Sequence, residues 1–190
     1  ISGLGGDELF GGYPSFRDVP RIRRRVPRAP GAGRVLRALS DPILRHVTSP
    51  KYAGLLEYGS SYAGAYLLRR ALYMPWELPR LLGCERAAAG LAALRPVERI
   101  QETIGGLANE RCIVSALELC WYMRNQLLRD ADWAGMGHGV EIRVPFVDAT
   151  VLRALAPMLA GPNPPTKAQL AKAIGDPLAG DIAARRKTGF

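Results

Sequence analysis

The sequence predicts a predominantly α-helical chain, and three observations support that prediction. Apolar residues recur every three or four positions in several stretches, a spacing that lines one face of an α-helix. Asn109, Asp148 and Thr166 stand directly before three of these stretches, and their side chains favour helix N-caps. Alternation of apolar and polar residues, the pattern of a half-buried strand, is confined to the short stretch 140–147.

The first half of the chain is expected to form a glycine-rich loop followed by short helices. The stretch 33–47 has helical spacing, which Pro42 is expected to break because proline removes a backbone donor. The stretch 60–73 is expected to form a helix that ends before Pro75. Four prolines limit the length of any helix near the start of the chain: Pro14, Pro20, Pro27 and Pro30.

The second half contains the clearest helix, expected from Asn109 to Arg129. The stretch 130–147 follows, which is irregular, glycine-rich and then briefly extended. Asp148 is expected to cap a helix at Ala149–Leu159. A short helix capped by Thr166 comes after a proline-rich turn.

Length and composition limit the class of protein. The chain has 190 residues, enough for one ordinary domain or a large piece of a bigger one, and no second domain is evident. Hydrophobic residues make up 48%, which is too many for a disordered chain. No apolar run approaches the ~18 residues of a membrane span, and no signal peptide is visible. Because the sequence begins with Ile1 and not with methionine, we expect a piece of a longer protein.

The three cysteines indicate a reducing environment. Cys84, Cys112 and Cys120 form no C-x-x-C pair, so neither a zinc site nor a thioredoxin-like motif is indicated. Cys112 and Cys120 share the predicted helix, where eight residues span about 12 Å, too far for a disulfide. We expect all three thiols to be reduced and half-buried, and the protein to be cytoplasmic.

Positive charge is concentrated in one segment, Arg17–Arg45. Nine arginines stand there against Asp18 and Asp41, which accounts for most of the net charge of +9. Such a segment attracts phosphates or nucleic acid, and a basic nucleic-acid-binding module is one alternative. We interpret it instead as the solvated surface of two short helices, because it lacks aromatic residues on which bases could stack.

The opening stretch, ISGLGGDELFGGY, carries the first chemical signal. Gly3, Gly5 and Gly6 leave room for a ligand to approach bare backbone, and Ser2 adds a hydroxyl. Asp7 follows in the first turn of a helix, where acids also suit the helix dipole. A glycine loop beside a carboxylate suits a nucleotide with Mg²⁺, because N–H groups hold the nucleotide and the acid holds the metal. The alternative is a tight turn before a capped helix.

Three segments carry a second signal, in this order: SGLGGDELFGGY, YMRNQLLRDADWAGMGHGVEIRVPFVD and RRKTGF. Together they resemble the asparagine synthetase family at its ATP-pyrophosphatase (synthetase) domain. The first is SGLGGDELFGGY, and the last is RRKTGF, which is similar to the family's terminal basic motif. The middle segment resembles the family's long helix and the loop after it, with the pattern M-x-H-x-x-E-x-R-x-P-[FL]-x-D. That pattern falls on Met136, His138, Glu141, Arg143, Pro145, Phe146 and Asp148.

The resemblance implies an AMP-forming amide ligase that uses ATP and Mg²⁺. Aspartate would be adenylated and then amidated by ammonia. The implied site residues are Ser2, Gly3 and Gly5 on the nucleotide, Asp7 and Glu8 on the metal, and Lys187 as the catalytic cation at the α-phosphate. From the residues alone, Glu8 is equally well explained by the helix dipole, His138 by a structural role, and Glu141 and Arg143 by an ion pair that shapes the site.

The resemblance also implies an α/β fold, similar to the adenine nucleotide alpha hydrolases, with helices around a parallel sheet. This chain would be the C-terminal part of that domain, with most of the sheet upstream. The family's pyrophosphate loop, S-G-G-x-D-S, and its glutaminase domain are absent from the sequence. We therefore expect the 190-residue piece to lack ATP–pyrophosphate exchange activity. Ammonia is expected to come from the glutaminase domain that is missing here. A homodimer is a further expectation; nucleic acid and membrane partners are not expected.

Leu4 leaves the acceptor open. Glutamine-dependent members of the family often carry an acid at this position, and a leucine side chain neither accepts a proton nor binds ammonium. The alternatives are a sibling amide synthetase, of the β-lactam, macrolactam or exopolysaccharide type, and a degenerate, non-catalytic scaffold.

Overall fold

The computed structural model describes residues 1–28, 31–47 and 49–185, with the backbone alone for 41–47, Pro177 and Ala183. These ranges are predominantly helical, which confirms the helical prediction, and they contain no strand, so the implied parallel sheet stays a prediction. The α-helices are α1 Gly6–Phe10, α2 Ser15–Arg25, α3 Ala32–Val47, α4 Leu55–Tyr58, α5 Tyr62–Arg70, α6 Leu78–Leu82, α7 Cys84–Leu94, α8 Pro96–Thr103, α9 Glu110–Leu117, α10 Leu128–Gly137, α11 Ala149–Ala160, α12 Lys167–Ala173 and α13 Pro177–Ala184.

The described residues also contain helical segments that are not α-helices. A π-helix covers Glu118–Leu127, and two 3₁₀ turns cover Pro50–Gly54 and Pro145–Val147. The chain divides into two compact units, which the sequence did not indicate. We name Pro14–Leu117 the central unit, and Ile1–Tyr13 with the chain from Glu118 onward the terminal unit. One boundary falls inside a helical stretch, and the other lies between Tyr13 and Pro14, a few residues after the end of α1.

The core of the central unit forms where α5 packs against α2 and α8. Val19 of α2 and Ala63 and Ala65 of α5 are fully buried. The Tyr66 hydroxyl donates to the carbonyl oxygen of Leu117 at 3.1 Å. This bond gives the buried hydroxyl a hydrogen-bond partner. Ser61 caps α5 by accepting the Gly64 N–H at 3.0 Å, in agreement with a helix in 60–73.

Helix α3 corrects one expectation. Its backbone is helical from Ala32 to Val47 and continues through Pro42, where a break was predicted. α3 packs along α4 and the 3₁₀ turn Pro50–Gly54. Tertiary packing of this kind outweighs the one backbone hydrogen bond that a proline removes, because most helix stability in proteins comes from such contacts.

The predicted helix Asn109–Arg129 is helical throughout, but its geometry and its end differ from the prediction. Asn109 caps α9 by accepting the Arg111 N–H at 2.9 Å. The π-helix follows α9 in sequence, and α10 then extends to Gly137, through residues expected to be irregular. Over ten residues, the spacing of apolar residues in the sequence does not distinguish a π-helix from an α-helix. Gly135 marks close packing and not a loop, because a Cβ there would meet the Val140 carbonyl oxygen at 2.6 Å.

The later caps follow the predictions. Asp148 accepts the N–H groups of Thr150 and Val151 at 2.7 and 3.3 Å, which lowers the pKa of its carboxyl. Thr166 and Gln169 form a reciprocal capping box at the start of α12. In the described ranges the three cysteines form no disulfide with one another, although Cys84 is exposed and not half-buried. No described helix is both long and apolar enough to cross a membrane.

Candidate active site

The opening loop is tied to the middle motif by main-chain contacts within the terminal unit. The Ser2 N–H donates to the Arg143 carbonyl oxygen at 2.8 Å. The Leu4 N–H in turn approaches Ser2 Oγ at 3.4 Å, which leaves the Ser2 O–H to donate elsewhere. Gly3 has no neighbouring atom within 4 Å of the position that a Cβ would take. The loop is thus anchored at Ser2 and open at Gly3.

Gly5 and Phe146 bring the first two motifs into direct contact. Gly5 has a φ of +94°, a conformation that L side chains rarely adopt, and a Cβ there would lie 3.0 Å from Phe146 Cβ. The Phe146 ring also meets the buried Phe10 ring edge to face, with centroids 6.0 Å apart. An apolar contact therefore fixes the position where the loop turns into α1.

Asp7 presents the carboxylate of the site, and two neighbours set its position. The Lys167 ammonium lies 2.8 Å from Asp7 Oδ1, although the two residues are 160 positions apart in sequence. A Cβ on Gly12 would overlap the Asp7 carboxylate, so a glycine there is what makes room for it. The Asp7 side chain is 22% exposed and that of Lys167 is 55% exposed, so the pair is accessible to a ligand.

Lys167 is the residue that sequence reasoning missed. It is the first residue of α12, and the capping box of Thr166 and Gln169 fixes where that helix begins. The sequence predicted the cap, but nothing local in it relates Lys167 to Asp7. A lysine directly after a strong N-cap is unusual, since the helix dipole disfavours positive charge at that position. This unusual placement is the signal that could have drawn attention to Lys167.

Glu8, the next residue along α1, lies in the core of the terminal unit. It is 1% exposed and accepts the Tyr13 hydroxyl at 3.0 Å on Oε1. Burial raises the pKa of its carboxyl; the Tyr13 hydrogen bond opposes this rise, and the nearby carboxyl groups of Asp7 and the buried Glu118 add to it. The Tyr13 ring packs edge to face on Tyr122, with centroids 5.8 Å apart. Burial and the Glu8 carboxylate raise the pKa of Tyr13 well above its ordinary value.

The polar residues of the middle motif lie on the surface of the unit. Arg143 donates to Glu141 at 3.2 Å, as predicted, but their side chains are 73% and 70% exposed. An ion pair at that exposure contributes little to stability. His138 is exposed at the end of α10. The contact of this motif with the opening loop therefore comes from the Arg143 carbonyl and the Phe146 ring, not from the charges.

A protein-family model and several known proteins match the sequence of this chain. The family model for asparagine synthase matches the chain over residues 1–190. The chain belongs to the asparagine synthase family. Relatives from Mycobacterium bovis (strain ATCC BAA-935 / AF2122/97) and Mycobacterium tuberculosis (strain ATCC 25618 / H37Rv) are each named "Putative asparagine synthetase (glutamine-hydrolyzing)". They are 27% identical over 205 aligned residues, which cover 100% of this chain and 29% of theirs. No solved structure matches.

The asparagine synthase family assignment leaves the individual site residues as predictions. Ser2, Gly3, Gly5 and Asp7 lie together at the start of the terminal unit, whereas Glu8 faces the core. Lys187 lies outside the described residues. Within the described ranges no group of three or more His, Cys, Asp or Glu side chains could hold a metal ion.

Proposed function

We propose that this chain is part of an ATP-dependent ligase that adenylates a carboxylate and then amidates it, releasing AMP and pyrophosphate. Membership of the asparagine synthase family supports a ligase of this type. The observation that carries the site is the Asp7 carboxylate, which lies between Gly12 and the Lys167 ammonium, in the same loop–helix segment as the open Gly3. A carboxylate, a cation and bare backbone together suit the phosphates of a nucleotide.

The proposed reaction has two steps. A carboxylate oxygen of an aspartate-like substrate attacks the α-phosphorus of ATP, an oxygen–phosphorus bond forms, and the bond to pyrophosphate breaks. Ammonia then attacks the acyl carbon of the acyl adenylate, the bond to AMP breaks, and the nitrogen loses a proton to give the amide. Negative charge grows on the phosphoryl oxygens in the first step, so positioned cations and N–H donors lower its barrier.

Residues of this chain supply binding and charge for that step. Ser2 and the open backbone at Gly3 and Gly5 would contact the adenylate part of ATP. Lys167 would contact a phosphate oxygen once a nucleotide competes for it, because its pair with Asp7 is accessible to solvent. Lys187 is the proposed catalytic cation at the α-phosphate.

Asp7 fits the role of a protein carboxylate in a Mg²⁺ site. Mg²⁺ in nucleotide enzymes takes one or two carboxylates and completes its shell with phosphate oxygens and water. A Mg²⁺ bound there would neutralise charge on the leaving pyrophosphate. Glu8, the second predicted ligand, is buried against Tyr13, so we assign it instead to holding the start of α1 in place.

The rest of the enzyme is proposed to lie outside this chain. The chain spans 29% of the length of the curated relatives it matches. The 190 residues would form the C-terminal part of the ATP-pyrophosphatase domain, which is the part that the three motif segments resemble. A glutaminase domain elsewhere in the full-length protein would supply ammonia, and the protein would act in the cytoplasm.

The test compares two acid-to-amide variants of the full-length protein. Asp7→Asn keeps the shape of the side chain but removes its charge, and we expect it to lower the rate of AMP formation on the order of 100-fold or more. Asp130→Asn, at an exposed position of α10, is the matched control and should keep the wild-type rate. Unchanged AMP formation in Asp7→Asn would contradict the proposal.

A sibling amide synthetase is the second candidate, and Leu4 is the observation that favours it. The wild-type full-length protein is supplied with aspartate, glutamine and ATP, and the products are separated. Asparagine formed with AMP supports the aspartate substrate. AMP without asparagine indicates another acceptor, whereas no AMP at all, with normal biological function retained in Asp7→Asn and Lys187→Ala, indicates a scaffold.

A further inference from the structure

We propose that a cleft in the central unit binds a small anion of the phosphate class, independently of the proposed active site. The cleft has a volume of about 400 Å³ and lies where the start of α3 meets α4 and the segment before α5. Its polar lining consists of Arg28, Arg34, Glu57, Ser60 and Ser61. No motif of the opening loop, the middle segment or the terminal basic stretch contributes to this lining.

Among the described lining residues the charge is positive, because Glu57, the one carboxylate among them, has a strong partner. Arg37 Nε lies 2.7 Å from Glu57 Oε2, and the Arg37 side chain is only 18% exposed. Its guanidinium also stacks on the Trp76 ring, 4.7 Å from the ring centroid, which holds it in place. Arg37 therefore neutralises Glu57 from behind the wall of the cleft.

Two further arginines then remain for a ligand. Arg34 Nε is 3.6 Å from Glu57 Oε1 and its side chain is 79% exposed, a separation and exposure at which an ion pair is weak. Arg28 lies on the rim and is exposed. Guanidinium groups bind phosphate oxygens through two parallel N–H bonds, so a pair of them at one concave site favours a phosphate over a monovalent anion.

Hydroxyl donors complete the lining. Ser61 Oγ already accepts the Gly64 N–H at 3.0 Å, so its own O–H is left to donate. Ser60 adds a second hydroxyl next to it. Phosphate is an acceptor at each of its oxygens, so two hydroxyl donors and two guanidinium groups match its hydrogen-bonding needs.

Backbone packing fixes one wall of the cleft. A Cβ on Gly33 would lie 2.7 Å from the Glu57 backbone, so α3 and α4 touch through the main chain at this point. Leu56 gives the cleft an apolar side. A concave cleft with one apolar wall suits a small phosphate-bearing molecule better than an extended polyanion, which needs an open basic surface and aromatic platforms.

The test follows backbone amide chemical shifts of the full 190-residue chain while inorganic phosphate is added. We expect saturable shifts at 31–34 and at Ser60 and Ser61. The double variant Arg28→Gln and Arg34→Gln should weaken the binding seen at these amides at least about tenfold, because charge-assisted hydrogen bonds are lost. The double variant Arg21→Gln and Arg25→Gln removes the same charge from exposed positions of α2 and should change it less than about twofold.

Each of four outcomes would overturn the proposal. Shifts that do not saturate, or equal weakening in both double variants, would indicate a diffuse charge effect. Saturable shifts at residues 2–7 that Lys167→Gln weakens, without saturable shifts at 31–34, would assign phosphate to the opening loop instead. A 20-base oligonucleotide that shifts the amides of α2 as strongly as those at 31–34 would assign the basic segment to nucleic acid. The result does not depend on whether the ligase proposal holds.

Discussion

At the scale of single residues, the pair of Asp7 and Lys167 is expected to matter much more for nucleotide binding than for stability. A side-chain pair at 22% and 55% exposure is expected to contribute less than about 1 kcal/mol to the free energy of unfolding. Lys167→Gln should therefore leave the stability of the chain nearly unchanged. In the full-length protein it should raise the KM for ATP at least about tenfold, because one charge-assisted contact to phosphate is lost.

Steady-state kinetics and urea unfolding check this prediction side by side. Lys172→Gln is the matched control, since it removes a lysine from an exposed position of the same helix. A large loss of stability in Lys167→Gln with an unchanged KM would mean that the lysine has only a structural role.

Glu8 gives the molecule a pH-dependent stability. Burial raises the pKa of its carboxyl in the folded state above the ordinary value of 4.5, so the folded chain binds this proton more tightly than the unfolded chain does. Stability from this group is fully present below about pH 4 and is lost as the pH rises through the raised pKa, by about 1.4 kcal/mol for each unit of difference. Glu8→Gln keeps the acceptor for Tyr13 and has no proton to lose.

The variant Glu8→Gln should therefore gain stability relative to the wild type as the pH is raised. Urea unfolding at about pH 4 and about pH 8 measures the difference. The same substitution at the exposed Glu85 should leave the pH dependence of the wild type in place. Parallel stability curves for the wild type and Glu8→Gln would show that the buried carboxyl does not titrate in this window.

At the scale of elements, the cap of α12 determines where Lys167 points. Thr166 accepts the Gln169 N–H, and Gln169 accepts the Thr166 N–H, at 3.3 and 2.8 Å. Thr166→Ala removes half of this capping box and should cost about 1 kcal/mol, most of it local to a seven-residue helix. Hydrogen exchange of the α12 amides should become faster, and the KM for ATP should rise in the full-length protein. Thr166→Ser keeps the hydroxyl and should restore both; failure to do so would argue against the cap.

The sequence indicated the elements that local chemistry determines. A short polar side chain directly before a helix accepts hydrogen bonds from the first N–H groups of that helix. This chemistry predicted the caps at Asn109, Asp148 and Thr166. Glu141 and Arg143 were predicted to pair because two residues in an extended segment share a face. Each of these inferences depends on neighbours within four positions.

What the sequence did not indicate depends on distant packing. The ten-residue π-helix Glu118–Leu127 has the apolar spacing of an ordinary helix. The extension of α10 depends on Gly135 packing against the chain at Val140, and the unbroken α3 depends on its contacts with α4. Lys167 meets Asp7 across 160 positions, so only the folded structure brings the predicted carboxylate and its cation together.

At the scale of the whole molecule, the two units carry different parts of the chemistry proposed here. The terminal unit holds the opening loop, the middle motif and α12, which are tied together by the bonds of Ser2 and Asp7 and by the Phe10 and Phe146 contact. The central unit holds most of the positive charge of the chain and the cleft beside Glu57.

This division leads to the last prediction, which concerns activity of the chain by itself. The described site offers a nucleotide one open loop, one carboxylate and one ammonium, and the sequence contains no S-G-G-x-D-S loop to hold the pyrophosphate from the other side. A transition state stabilised from one side only lacks most of the electrostatic contribution that phosphoryl transfer requires. The purified 190-residue chain should therefore show no exchange of labelled pyrophosphate into ATP, whereas the full-length protein should show it with its carboxylate substrate. Exchange by the chain alone would mean that Asp7, Lys167 and Lys187 suffice, and that the pyrophosphate needs no second loop.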